Sequence, residues 1–193
     1  WGHFDLYKGE FPNGLASLKN CVDKAEAKGI KMGTHCLSNF ITTNDPYVTP
    51  IPDPRLAKVG SSLLTKSIGK ADTEIEIASP VFFNQMKNNN LKTVVLGKEL
   101  IRYGGVSVVA PWRLLDCQRA AFGTQASAHR AGAKISKLLD HGYKVFLTEA
   151  DLTIEMSKTL AELYSRTGLR QISFDGLEGN RSTGLGTYGE SLM

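Results

Sequence analysis

The stretch LASLKNCVDKAEAKGIKMGTH, residues 15–35, is the most informative about the fold. Its apolar residues recur at steps of three and four, as on one face of an amphipathic helix, and Lys28-Gly29 supplies a stop signal. The residues from Ile30 to His35 are typical of a strand, and a short apolar run at 4–7 precedes the helix. The order strand, helix, strand with short joints predicts a parallel βαβ unit.

The same rhythm returns in the last third of the chain. It predicts a helix from Ala131 to Leu139, a strand at 144–149, a long helix after the N-cap candidate Asp151, and a strand at 170–175. The long helix has apolar residues at helical spacing and a glycine stop, namely Leu152, Met156, Leu160, Leu163 and Gly168.

These units predict an α/β fold that is part of a (β/α)8 barrel. A doubly wound open sheet is the alternative, although no glycine-rich phosphate fingerprint follows the first strand. Four strands do not close a barrel, which takes ~250 residues, and the chain starts at Trp1. We therefore expect a piece of a longer polypeptide, completed by its remaining segments or by another copy.

A different pattern interrupts the helical units. Four prolines between residues 44 and 54 indicate an extended loop, after which apolar residues recur with a period of two. Gly104-Gly105 lies between two apolar runs and predicts a hairpin turn. The expected organisation is a first βαβ part at 1–59, an inserted antiparallel β module at 60–125, and later βα units at 126–193.

Composition excludes several classes of function. The net charge of +4 is spread along 193 residues, so no nucleic-acid partner is expected, and no apolar run is long enough for a membrane span. Three cysteines without CxxC spacing indicate neither a disulfide framework nor a zinc site. His3, Asp5 and His35 suggest a metal-dependent hydrolase as a remote alternative, but they lack HxH or HExxH spacing. We expect no metal and no cofactor.

Ionisable side chains close the predicted strands, and such strand ends form the ligand-binding rim of parallel α/β folds. Two carboxylates on one rim suit glycoside hydrolysis, although some of these acids have the alternative role of helix caps. Aromatic side chains near a rim can stack on sugars or pack in the core. The predicted catalytic residues are Asp175, Glu149 and Glu178, and the predicted substrate-binding residues are Asp5, His35, Tyr7 and Trp112.

Two segments resemble a known group of enzymes. Residues 27–35, AKGIKMGTH, resemble the second-strand segment of (β/α)8 glycoside hydrolases of the α-galactosidase-like sort. Residues 172–178, ISFDGLE, are similar to strands of that group and of α-glucosidase-like barrels that end in a catalytic Asp. The resemblance implies a glycosidase acting on a poly- or oligosaccharide, with Asp175 as nucleophile or base. It also favours a periplasmic or extracellular location.

A second resemblance lies in the predicted β module. Glu99 to Tyr103, Arg119, Phe122-Gly123-Thr124 and His129 look like a pattern found in small β modules of phage-tail and sugar-processing proteins. This resemblance implies the alternative function, a non-catalytic carbohydrate-binding or assembly module. His129 itself has either a functional role or a capping and packing role.

Overall fold

The computed structural model describes residues 1–193, which divide into two compact units. Unit 1 comprises Trp1–Phe40 and Ala150–Met193, and unit 2 comprises Ile41–Glu149. Along the chain, unit 2 is therefore an insertion between the two parts of unit 1, and it is wider than the module expected at 60–125.

The secondary structure consists of four α-helices, one short 3₁₀ helix at Ala121–Gly123 and twelve short strands. The helices are α1 (Leu15–Glu26), α2 (Ala150–Thr167), α3 (Glu178–Ser182) and α4 (Gly186–Ser191). The strands are β1 (Gly33–Leu37), β2 (Phe40–Ile41), β3 (Lys58–Leu63), β4 (Ile75–Glu76), β5 (Thr93–Leu96), β6 (Glu99–Arg102), β7 (Gly105–Val106), β8 (Arg113–Leu115), β9 (Lys134–Leu138), β10 (Asp140–His141), β11 (Val145–Leu147) and β12 (Gln171–Asp175). None of the helices combines the length and the apolar character that a membrane crossing requires.

Unit 1 contains a parallel pair of strands with α2 on one face. β1 pairs with β12 in register, from Gly33 opposite Gln171 to Leu37 opposite Asp175. The hydroxyl group of Tyr164, on α2, lies 2.7 Å from Thr34 Oγ1, so α2 covers the face of the sheet that carries Thr34. The helices bury a small apolar core comprising Leu18, Val22 and Leu169, with Leu6, Phe11, Met32, Leu163 and Tyr164 packed against it.

Unit 2 consists of antiparallel sheets around a larger apolar core. One sheet has the strand order β3-β9-β5-β6 and another has the order β4-β8-β7, while β10 and β11 pair separately. The core draws on strands and loops alike: Leu64, Ile68, Ile75, Ile77, Phe83, Val94, Leu96, Ile101, Tyr103, Leu114, Cys117 and Ile135.

The predicted (β/α)8 barrel is wrong. β1 and β12 form a parallel pair, whereas the strand pairs of unit 2 are antiparallel. The segment 4–7 is not a strand, and the predicted strand at 144–149 is β11, which pairs antiparallel with β10. Apolar runs of this length do not reveal the direction of the neighbouring strand, so the sequence pattern cannot distinguish parallel from antiparallel pairing.

Two local predictions in unit 2 are also wrong. The helix expected from Ala131 to Leu139 is β9, which lies between β3 and β5; it is buried from Ile135 to Leu138 and so lacks the alternation of a half-exposed strand. The hairpin turn is at Gly97-Lys98, where Gly97 has φ +61°, and it joins β5 to β6. Gly105 instead begins β7, which pairs with β8. A positive φ at the first turn residue is the property that glycine supplies most easily.

Candidate functional site

The site starts at the carboxyl end of the parallel pair, where Asp175 is the last residue of β12. The side chain is exposed, and its Oδ1 atom accepts a hydrogen bond from the backbone N–H of Gly176 at 2.8 Å. Oδ2 makes no hydrogen bond within the protein. One carboxylate oxygen is therefore fixed to the backbone, while the other is open to a ligand.

The backbone after Asp175 requires glycine. Gly176 has φ +73°, and a Cβ atom built there would lie 2.6 Å from Cε2 of Phe40. Ser38, which is buried just beyond β1, donates its hydroxyl hydrogen to the carbonyl oxygen of Gly176 at 2.9 Å. The backbone N–H of Ser38 also donates to the carbonyl oxygen of Asp175 at 3.2 Å. The exits of both strands are thus tied together, which holds the carboxylate in one place.

His35 and Ser173 lie on the same face of the sheet as Asp175. The two residues are paired across β1 and β12, and Nδ1 of His35 lies 3.2 Å from Oγ of Ser173. Side chains two residues apart on a strand share a face, so Ser173 and Asp175 point the same way. His35 was predicted near the strand end, but it lies in the middle of β1. Sequence reasoning missed Ser173, because a single serine in a strand carries no distinctive signal.

Two further polar residues follow on α3. Glu178 is exposed at its first position. Asn180 is fully buried, and neither Oδ1 nor Nδ2 of its side chain has a hydrogen-bond partner. A Cβ at Gly189 would lie 2.6 Å from Oδ1 of Asn180, so the α4 backbone packs directly on this amide. The sequence marks Asn180 only through the spacing of a glycosylation sequon, and its burial removes it as an acceptor of a glycan.

The remaining predicted residues lie elsewhere. Asp5 lines a cavity of about 570 Å³ in unit 1, together with His3, Lys8, Phe11, Leu15, Glu162 and Arg166. Tyr7 is 74 % exposed. Glu149 and Trp112 belong to unit 2, where Glu149 lies 3.4 Å from Lys58 Nζ and Trp112 packs against the apolar core. Within unit 1, the structure therefore brings together His35 and Asp175 on one sheet face, with Glu178 just beyond.

A buried charge cluster in unit 2 contains the residues of the second sequence resemblance. The carboxylate of Glu99 is fully buried and accepts from Nε and Nη2 of Arg119 at 2.8 and 2.9 Å, and from the N–H groups of Ala120 and Ser127 at 3.1 and 3.2 Å. Nε2 of His129 lies 2.9 Å from Oε2. Burial alone would raise the pKa of Glu99, but the hydrogen bonds from Arg119 and His129 hold it below its usual value.

The Glu99 cluster cross-links two parts of unit 2 and therefore has a structural role. Every contact of Glu99 joins β6 to the segment between Arg119 and His129, and the hydroxyl oxygen of Thr124 accepts from the N–H of Leu100 at 3.1 Å. No lone pair of Glu99 is left to bind a ligand, because both oxygens are already saturated.

Other reactive side chains of unit 2 are equally enclosed. Nζ of Lys137 lies 3.6 Å from Oδ2 of Asp140, and both side chains are fully buried. Burial lowers the pKa of Lys137 to about 8, whereas it raises the pKa of the Cys117 thiol to about 12. Asp140 also accepts from the N–H groups of Asn90 and Leu91, at 2.7 and 3.1 Å.

The open polar atoms of the Asp175 face are consequently the best candidates for chemistry. The structure contains no group of three or more His, Cys, Asp or Glu side chains that would hold a metal ion. The chain matches no protein-family model, and no curated protein or solved structure is significantly similar to it.

Proposed function

We propose that unit 1 hydrolyses a glycosidic bond and that Asp175 is the carboxylate that acts at the anomeric centre. The observation that carries this proposal is the state of Asp175: exposed at the end of a parallel strand, fixed through Oδ1 and open at Oδ2. The resemblance of residues 172–178 to strands that end in a catalytic Asp supports the same assignment.

A carboxylate suits this reaction because the transition state has oxocarbenium character. A fixed carboxylate beside the anomeric carbon stabilises the developing positive charge. Its open oxygen, Oδ2, attacks the carbon or activates a water molecule. Because the Gly176 N–H fixes Oδ1, the attacking oxygen is pre-oriented before the substrate binds.

The second carboxyl group protonates the leaving oxygen. Glu178, three residues beyond Asp175 in unit 1, is the candidate for this acid. A Glu178→Gln variant tests this assignment. A substrate with a good leaving group, such as a nitrophenyl glycoside, needs little protonation and should relieve the defect of this variant if Glu178 is the acid.

The experiment is an assay of the full chain on a panel of oligosaccharides and nitrophenyl glycosides. Asp175→Asn should lower kcat about 10²- to 10⁴-fold, whereas Asp23→Asn, an exposed aspartate on α1, should leave kcat unchanged. Full activity of Asp175→Asn on every cleaved glycan would show that the assignment is wrong. Binding without cleavage by the wild-type chain would instead identify a carbohydrate-binding module.

A further inference from the structure

The sheet face that carries Asp175 differs from the face that α2 covers. Six side-chain positions share it, in the in-register pairs Gly33 with Gln171, His35 with Ser173, and Leu37 with Asp175. Parallel sheets normally have both faces covered, yet five of these six positions are exposed and carry a polar or charged side chain or none: Gly33, His35, Gln171, Ser173 and Asp175. An exposed polar strip that leads to a carboxylate is suited to holding a polar ligand beside it.

His35 has one ring nitrogen engaged and one available. Nδ1 is in hydrogen-bond contact with Oγ of Ser173, and Nε2 has no hydrogen bond within the protein. If Ser173 donates to Nδ1, Nε2 carries the ring proton and is a donor; if Ser173 accepts, Nε2 is an acceptor. In either case the contact restricts rotation of the ring and fixes where Nε2 lies.

The spacing along the strands matches one sugar ring. Ser173 and Asp175 are separated by two residues, which corresponds to ~6.6 Å along a strand. A pyranose with its hydroxyl groups spans a similar distance. A sugar whose anomeric carbon faces Asp175 therefore places one of its own hydroxyl groups against the His35–Ser173 pair.

The charge of the face restricts the kind of sugar. None of its six positions carries lysine or arginine, and its one fully charged side chain is the Asp175 carboxylate. A uronic acid or a sulfated sugar would bring a second negative charge to this face with no cation there to meet it. A neutral sugar brings no second negative charge and avoids this repulsion.

We infer that His35 binds a hydroxyl group of the same neutral sugar on which Asp175 acts, and that Ser173 is a positioning residue that fixes the His35 ring. This inference rests on the proposed function and adds the substrate class and a binding pair to it. Three observations support it: the polar face, the His35–Ser173 contact and the spacing to Asp175.

The test measures the binding of free monosaccharides by the full wild-type chain. A monosaccharide has no glycosidic bond to hydrolyse, so binding is separated from cleavage while the Asp175 carboxylate stays in place. NMR signals of the four histidine rings are recorded while neutral monosaccharides (galactose, glucose, mannose, xylose) and glucuronic acid are added. The His35 signal, identified by its loss in His35→Gln, should shift with a neutral sugar and stay in place with glucuronic acid. His35→Ala should weaken binding about 3- to 10-fold, the effect of one lost hydrogen bond.

Ser173 is tested by a pair of substitutions. Ser173→Ala should raise the KM for glycan cleavage with little change in kcat, and it should move the NMR signal of the His35 ring in the sugar-free chain. Ser173→Thr keeps the hydroxyl group, so its KM and its His35 signal should match those of the wild type. Ser165→Ala, at an exposed serine on α2 outside this face, is the matched control and should change neither.

The outcomes separate the two proposals. If His35→Ala binds sugar as tightly as its parent, or if glucuronic acid binds as well as the neutral sugars, the inference is overturned while the role of Asp175 stands. If Asp175→Asn still cleaves glycans but the His35 effects appear, the proposed catalytic role fails and the binding pair stands. If no sugar shifts the His35 signal, the inference is overturned.

Discussion

Glu99 in unit 2 and Asp175 in unit 1 are both carboxylates at a strand end, and their surroundings are opposite. Glu99 opens β6, is fully buried and accepts from Arg119, His129 and two backbone N–H groups. Asp175 closes β12, is exposed and accepts one backbone hydrogen bond. The acceptor positions of the Glu99 carboxylate are occupied by groups of the protein, whereas most of those of the Asp175 carboxylate are available to a ligand.

The histidines repeat this contrast. The side chain of His129 is 10 % exposed and contacts both Glu99 and Ser127 through Nε2, while His35 is exposed and contacts Ser173 through Nδ1. Residue type alone is therefore the same within each pair, and the number of hydrogen bonds already satisfied is what differs. The following predictions test that distinction through stability.

Glu99→Gln should have the largest effect, a loss of about 3–5 kcal/mol in the free energy of unfolding of unit 2. Glutamine removes the negative charge that compensates the enclosed guanidinium of Arg119 and places an amide donor among donors. Urea unfolding followed by Trp112 fluorescence in a Trp1→Phe background measures it, since the chain has two tryptophans and Trp112 packs on the unit 2 core.

The control for Glu99 is Glu74→Gln. Glu74 lies 3.5 Å from Arg113, and both side chains are largely exposed, so breaking this pair should cost at most about 1 kcal/mol. Equal losses for the two variants would contradict the distinction between saturated and open carboxylates.

Lys137 should make the stability of unit 2 rise with pH. Its pKa is about 8 in the folded chain, lowered by burial from an ordinary value of 10.5. Between these values the unfolded chain holds the proton and the folded chain does not, so the free energy of unfolding increases with pH, by roughly 3 kcal/mol over the whole interval. Below pH 8 both states are protonated and the burial penalty is fully present.

The measurement compares the wild type with Lys137→Met at pH 7 to 10. The stability of the wild type relative to the variant should increase across this range. Cys117 acts in the opposite direction above pH 9, because its pKa is raised, but it is common to both proteins and cancels in the difference. A difference that stays constant with pH would show that Lys137 does not change its protonation on unfolding in this range.

The sequence predicts the helical parts of unit 1 better than the sheets of unit 2. α1 and α2 are confirmed because their apolar residues keep a helical period over three turns or more, and Gly168, with φ +80°, follows α2 as expected. The strands that carry His35 and Asp175 are also confirmed. The sequence predicts a helix where β9 lies, because Lys137, a charged residue, is buried within the strand and masks its pattern.

The candidate site is only partly visible in the sequence. Asp175 stands out through the apolar strand before it and the glycine after it. Ser173 and Asn180 do not, because their importance depends on a partner or on burial that the sequence pattern does not encode. The Glu99 cluster has a recognisable spacing, but saturation by backbone N–H groups emerges only in three dimensions.

Asp175→Asn should have the smallest effect on stability, a change within about 0.5 kcal/mol in the free energy of unfolding of unit 1. Asparagine keeps an Oδ1 atom that accepts the hydrogen bond from the Gly176 N–H, and the exposed position requires no burial of its NH₂ group. Circular dichroism at a helix-sensitive wavelength follows unit 1, because all four α-helices belong to it. A loss above 2 kcal/mol would place Asp175 with Glu99 as a structural carboxylate and would remove the main support for catalysis. A neutral change in stability together with a large loss in glycan cleavage would instead mean that the Asp175 carboxylate is needed for the reaction and not for the fold.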